Sequence, residues 1–209
     1  MYIDQRMNDA PQHESSPTYL LPAAVAFEGG VALLAVGVGW FVGHPPLKLI
    51  HWLPGAVFWG ALGTLPLLAM VAVCIAFPVG PLRQLLEVVQ RLVIPLFAGC
   101  NWIDLAIIAV LAGLGEELLF RGLIQGVSSA LIGGAVGRWS AWIGTSVLFG
   151  LAHWITPTYA ALAGLIGFYL GWLWLASDNL LLPITAHALY DFVVLAYLLK
   201  LRTTEESRQ

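Results

Sequence analysis

Long apolar runs, each close to the roughly 20 residues that a bilayer core requires, alternate with short polar breaks along this chain. Six can be drawn, at about 20–43, 54–78, 102–127, 138–156, 158–177 and 180–200. Backbone polar groups inside a bilayer must be satisfied within their own segment, so each run predicts a helix. Between the second and third runs, PLRQLLEVVQRLVIP changes the pattern. Arg83, Glu87, Gln90 and Arg91 recur at three- and four-residue spacing opposite Leu85, Leu86, Val89 and Leu92. That spacing predicts an amphipathic helix ending near Pro95 and lying in the membrane interface. No internal repeat and no linker divides the chain. The expected architecture is an all-α polytopic membrane helix bundle, with about six transmembrane helices and one interfacial helix. It forms a single domain over 20–200, between a polar N-terminal tail at 1–19 and a polar C-terminal tail at 201–209.

Composition supports the pattern. Of 209 residues, 59% are hydrophobic and 10% charged, against about 25% charged in soluble domains, and mean hydropathy is +0.84. A net charge of −3 without a basic block argues against a nucleic-acid partner. Residues 1–19 lack the basic and apolar regions of a signal peptide and are expected to stay in the mature chain. Cys74 and Cys100 have no metal-ligand spacing and read as small buried hydrophobes. With both termini on one side, that side holds Arg6, Arg83, Arg91, Lys200, Arg202 and Arg208, and the other holds Lys48 and Arg138. The bias places both termini in the cytoplasm.

Ionisable groups at membrane depth cost about 2.5–3.5 kcal/mol each on insertion scales, so each needs a reason. GEELLFRG puts Glu116, Glu117 and Arg121 inside the third run. Glu117 and Arg121 are four apart and share a helix face, where they can pair. Glu116 is offset by roughly 100° and is left free. FGLAH sets Phe149 and His153 at i, i+4 on the fourth run, and HALYD sets His187 and Asp191 at i, i+4 on the sixth. A structural ion pair with satisfied core histidines would explain any one of these groups. Together they contain what amide hydrolysis needs: a carboxylate and an imidazole to deprotonate water, and donors or a metal to stabilise an oxyanion. No HExxH motif accompanies them, and Gly144-Thr145-Ser146 lacks the glycine of a nucleophile elbow. A proton-coupled transporter would also use such groups, but the charges cluster late in the chain without an inverted repeat. Glu28 lies in the first run outside every motif, and reads as a polar interhelical or headgroup contact rather than a substrate-facing group.

EExxxR (Glu116, Glu117, Arg121), FxxxH (Phe149, His153) and HxxxN/D (His187, Asp191), in that order over about 100–195, resemble the CPBP family. These are CAAX proteases and bacteriocin-processing enzymes, also called the Abi family of intramembrane metalloproteases. The resemblance implies an endopeptidase acting on a membrane-anchored peptide or protein, prenylated or bacteriocin-like, in a bacterial or archaeal cell membrane. It implies that Glu116 and His153 activate water, that Glu117 and Arg121 position the glutamate helix, and that His187 and Asp191 stabilise the oxyanion. Both a divalent metal such as zinc and a metal-free glutamate mechanism are argued for the family. If a metal is used, Glu116, His153, His187 and Asp191 would hold it. CAAX-processing members carry Asn where this chain has Asp191. The aspartate would donate a hydrogen bond as a neutral acid, orient His187, or join a metal, and the first is expected because the family accepts either residue there. The competing reading is a non-catalytic immunity or scaffold protein that kept the fold.

Overall fold

The computed structural model describes residues 20–206, with side chains to 200. The polar tail at 1–19 and residues 207–209 lie outside the described residues. Within them the chain forms seven helices and no strand: α1 (Leu20–Phe41), α2 (Pro54–Ala76), α3 (Pro81–Phe97), α4 (Trp102–Ile132), α5 (Gly134–Ala152), α6 (Pro157–Ser177) and α7 (Leu181–Glu206). The last helix therefore runs past the boundary drawn at 200.

Only α1, α2, α6 and Leu181–Lys200 of α7 are long and apolar enough to cross a membrane. The pair α3 and α4, bent by 112°, would make a fifth. α4 is long enough, but Asp104, Glu116, Glu117 and Arg121 break its apolar character. α5 is diluted by glycine, serine, threonine and Arg138.

Local signals set the helix starts. Asn101 and Asp104 form a reciprocal capping box at the head of α4, with Asn101 Oδ1 accepting from the Ile103 and Asp104 amides and Asp104 Oδ2 accepting from the Asn101 amide. The Thr156 hydroxyl accepts from the Tyr159 amide and Pro157 opens α6. Directly after Glu117, α4 widens into a π-helical stretch, Leu118–Gln125, which carries Arg121. Such stretches often mark functional sites.

α4 and α7 form the centre. α7 packs on α4 and α2, α1 packs on α4, and α5 packs on α6. Two glycines let backbones meet. A Cβ at Gly113 would lie 2.8 Å from the Ala188 amide nitrogen on α7, and one at Gly115 would lie 2.8 Å from the Glu28 carbonyl oxygen on α1. At one end of the bundle Asn179 binds both the His51 amide and the His51 carbonyl, and His44 abuts Gly126. The loops around 44–51, the end of α4 and the α6–α7 turn thus share that end.

The amphipathic segment ends two residues beyond Pro95 and has a further role. Leu85, Leu86, Val89 and Val93 on its apolar face line an interior cavity of about 350 Å3, so this face covers protein rather than lipid alone.

Candidate active site

Glu116 of α4, Phe149 and His153 of α5, and His187 and Asp191 of α7 line that cavity, while Glu117 and Arg121 are fully buried beside it. Glu117 lies at the hub. It is fully buried, and its Oε1 accepts from Arg121 Nη1 at 2.7 Å and from His187 Nδ1 at 2.9 Å. Arg121 is equally buried. Its Nη2 donates to the Gly167 carbonyl of α6 at 2.8 Å, and its guanidinium carbon lies 4.5 Å from the centre of the Phe149 ring. A buried cation on an aromatic face gains about 2 kcal/mol. Arg121 thereby joins α4, α5 and α6. The i, i+4 pair expected from the sequence is present, and Glu117 does more than brace its helix: it also holds His187.

Glu116 points the other way. Its side chain keeps 15% exposure, and its Oε2 has no hydrogen-bond partner within the described residues. That oxygen lies 3.6 Å from His153 Nε2 and 4.0 Å from His187 Nε2. Both separations exceed a direct hydrogen bond. His153 Nδ1 lies 2.8 Å from the Phe149 carbonyl, which can only accept, so the proton belongs on Nδ1. The Nε2 lone pair then faces the Glu116 carboxylate. Two acceptors 3.6 Å apart are suited to one bridging water, which donates a proton to each. Phe149 stacks on His153 with ring centres 4.5 Å apart and meets His187 edge-on, so it orients both imidazoles. The C-terminal position of His153 on α5 does not remove it from the cluster, since its Nε2 lies 3.6 Å from Glu116 Oε2.

Asp191 Oδ2 lies 3.4 Å from His187 Nε2. With Nδ1 donating to Glu117, this places a carboxylate at each nitrogen of His187. The arrangement suits Asp191 as an orienter of that ring better than as a neutral donor.

Among the described residues, no three His, Cys, Asp or Glu side chains are grouped to hold a metal ion. As placed, Glu116, His153, His187 and Asp191 do not fit a metal, and no step is derived through one.

From the sequence, Glu28 reads as a polar interhelical or headgroup contact rather than a substrate-facing group. It lines the cavity with Glu116, His153, His187 and Asp191 rather than turning to headgroups, and its Oε2 is buried without a hydrogen-bond partner. The available signal was an isolated ionisable residue within a span, which by default marks function. Tyr159 and Tyr190 also line the cavity and belong to no motif.

Residues 98–193 match the family model described as "Type II CAAX prenyl endopeptidase Rce1-like". No curated protein and no solved structure matches the chain.

Proposed function

We propose that the chain is a membrane peptidase of the CPBP, or CAAX-protease, type, which hydrolyses a peptide bond of a membrane-anchored substrate with water activated by Glu116 and His153; the match of residues 98–193 to the Rce1-like family model supports this reading. The observation behind this reading is the pair of acceptors 3.6 Å apart, Glu116 Oε2 and His153 Nε2, at the wall of a cavity. A water donating to both turns its oxygen lone pairs outward, toward an incoming carbonyl. As that oxygen bonds the carbonyl carbon, its proton passes to Glu116. His187, as an imidazolium held by the Glu117 carboxylate at Nδ1 and faced by the Asp191 carboxylate at Nε2, supplies the Nε2–H donor for the oxyanion. The rest of the cavity is largely apolar, with Met70, Val71 and Ile75 from α2 facing Ile166 of α6 and Val194 of α7. That lining suits a lipid-modified or apolar peptide segment more than a polar one.

The test is hydrolysis of a lipid-anchored, internally quenched peptide by the purified chain in micelles. Glu116→Gln keeps shape and loses basicity, so activity should fall by about 10²–10⁴-fold with melting and elution unchanged. Undiminished cleavage by that variant would remove Glu116 from the mechanism and favour a non-catalytic scaffold.

A further inference from the structure

Glu28 is the single ionisable residue of α1, and the mechanism above leaves it unused. Its position is specific. α1 makes a close approach to α4 at Gly115, next to Glu116, where any side chain would run into the Glu28 carbonyl. With Asp191 of α7, three carboxyls from three helices line one cavity. Among the described residues no Lys or Arg lines it, and Arg121 is committed to Glu117 and the Gly167 carbonyl.

Amide hydrolysis also has a requirement that the water-activating pair does not meet. An amine leaves as a neutral molecule only if its nitrogen gains a proton while the C–N bond breaks. Around the cavity, Glu116 Oε2 and His153 Nε2 are acceptors for water. His187 uses Nδ1 on Glu117 and presents Nε2 to the oxyanion, and Asp191 faces that same nitrogen. Among the described residues Glu28, Glu116 and Glu117 each have a buried carboxyl oxygen without a hydrogen-bond partner, and of these only Glu28 lines the cavity without a part in activating water or holding His187.

We propose that Glu28 is the general acid that protonates the leaving nitrogen; this rests on the peptidase reading above. Water oxygen bonds the carbonyl carbon and its proton goes to Glu116, giving the oxyanion. On collapse the carbonyl reforms, the C–N bond breaks, and the nitrogen takes the carboxyl proton of Glu28. The products are a carboxylic acid and an amine. The proton on Glu116 then passes to the Glu28 carboxylate through cavity water, which resets both groups.

An ester leaves as an alkoxide and depends less on such an acid, so two probes separate this role from a structural one. The full chain in micelles is assayed on a lipid-anchored quenched peptide and on its depsipeptide, with an ester at the scissile position. Glu28→Gln should lower kcat on the amide by about a hundredfold or more and on the ester by less than about tenfold, with melting unchanged. Glu28→Asp should recover part of the amide activity. Equal losses on both probes, or an undiminished amide rate, would overturn the assignment of Glu28 alone. A wild type that cleaves neither probe, or cleavage indifferent to Glu116→Gln, would overturn the peptidase reading and this role with it.

Discussion

Arg121→Leu tests the hub most directly. The substitution removes a fully buried cation and three contacts at once: the 2.7 Å bond to Glu117, the 2.8 Å bond to the Gly167 carbonyl and the stack on Phe149. Removing one partner of a buried ion pair costs about 3–5 kcal/mol, chiefly through the charge left behind. Glu117 would not be wholly stranded, because His187 Nδ1 still donates to the same oxygen at 2.9 Å. That places the pair's share near the low end, and the orphaned carbonyl adds about 1 kcal/mol. The sum is about 4 kcal/mol. At roughly 2–4 °C per kcal/mol for a chain of this size, melting in micelles should fall by about 8–16 °C.

The double variant Glu117→Leu, Arg121→Leu makes the test sharper. Replacing both members of a buried pair with apolar groups of similar volume is often neutral, so most of the lost melting temperature should return. Activity should not return, because His187 has lost the acceptor that fixes its Nδ1. A double variant as unstable as the single one would refute the stranded-charge argument. An Arg121→Leu protein of normal melting temperature would refute the hub itself.

The remaining expectations concern packing, electrostatics and topology. Gly115→Ala drives a methyl against the Glu28 carbonyl, so it should destabilise by about 1–3 kcal/mol and lower activity, measured by melting and peptide cleavage; normal values for both would mean α1 does not approach there. Asp191→Asn keeps size but removes the charge facing His187 Nε2 at 3.4 Å; activity should fall about a hundredfold, and full activity would restore the hydrogen-bond-donor role expected from the family pattern. Since no three donors are grouped around a metal position, cleavage should withstand a strong chelator; loss that zinc restores would show that the donors rearrange around an ion. Reporter fusions in the α1–α2 loop and at Gly133–Gly134, two connections on the same end of the bundle, should read alike and opposite to a fusion after α7; a mixed result would break the arrangement of spans.

Much of the site was legible because i, i+4 spacing carries three-dimensional information within a helix. It foretold that Glu117 meets Arg121, that Phe149 lies under His153, and that His187 and Asp191 share a face. Spacing says nothing about rotation between helices, so the link from Glu117 to His187, 70 positions away, was invisible. The same gap hid Glu28. Its role depends on how closely α1 approaches α4, which Gly115 decides through the absence of a side chain. Hydropathy found the apolar runs but did not set α4 and α5, with their charged and small polar residues, apart from the more apolar helices. A helix packed among protein can carry charges and small polar residues that a lipid-facing one cannot. The amphipathic stretch is a related case: its apolar stripe marks a face that avoids water, whether lipid or a cavity wall meets it.

The adjacency of Glu116 and Glu117 is what turns a costly cluster into a usable one. Neighbours on a helix point roughly 100° apart, so a single backbone position delivers one carboxylate to the packed interior and one to the cavity. Arg121 could in principle serve either acid. Its second bond, to the Gly167 carbonyl, and its seat on Phe149 fix the guanidinium on the Glu117 side. Were Arg121 free to swing, it would pair with the exposed acid and lower its basicity, and the water between Glu116 and His153 would lose its acceptor. The π-helical stretch that begins after Glu117 shifts Arg121 out of regular α-helical register. It favours the contact with α6 that keeps the arginine away from Glu116. Under the proposed mechanism, Arg121 is thus held where it organises His187 through Glu117 and leaves Glu116 to act as a base.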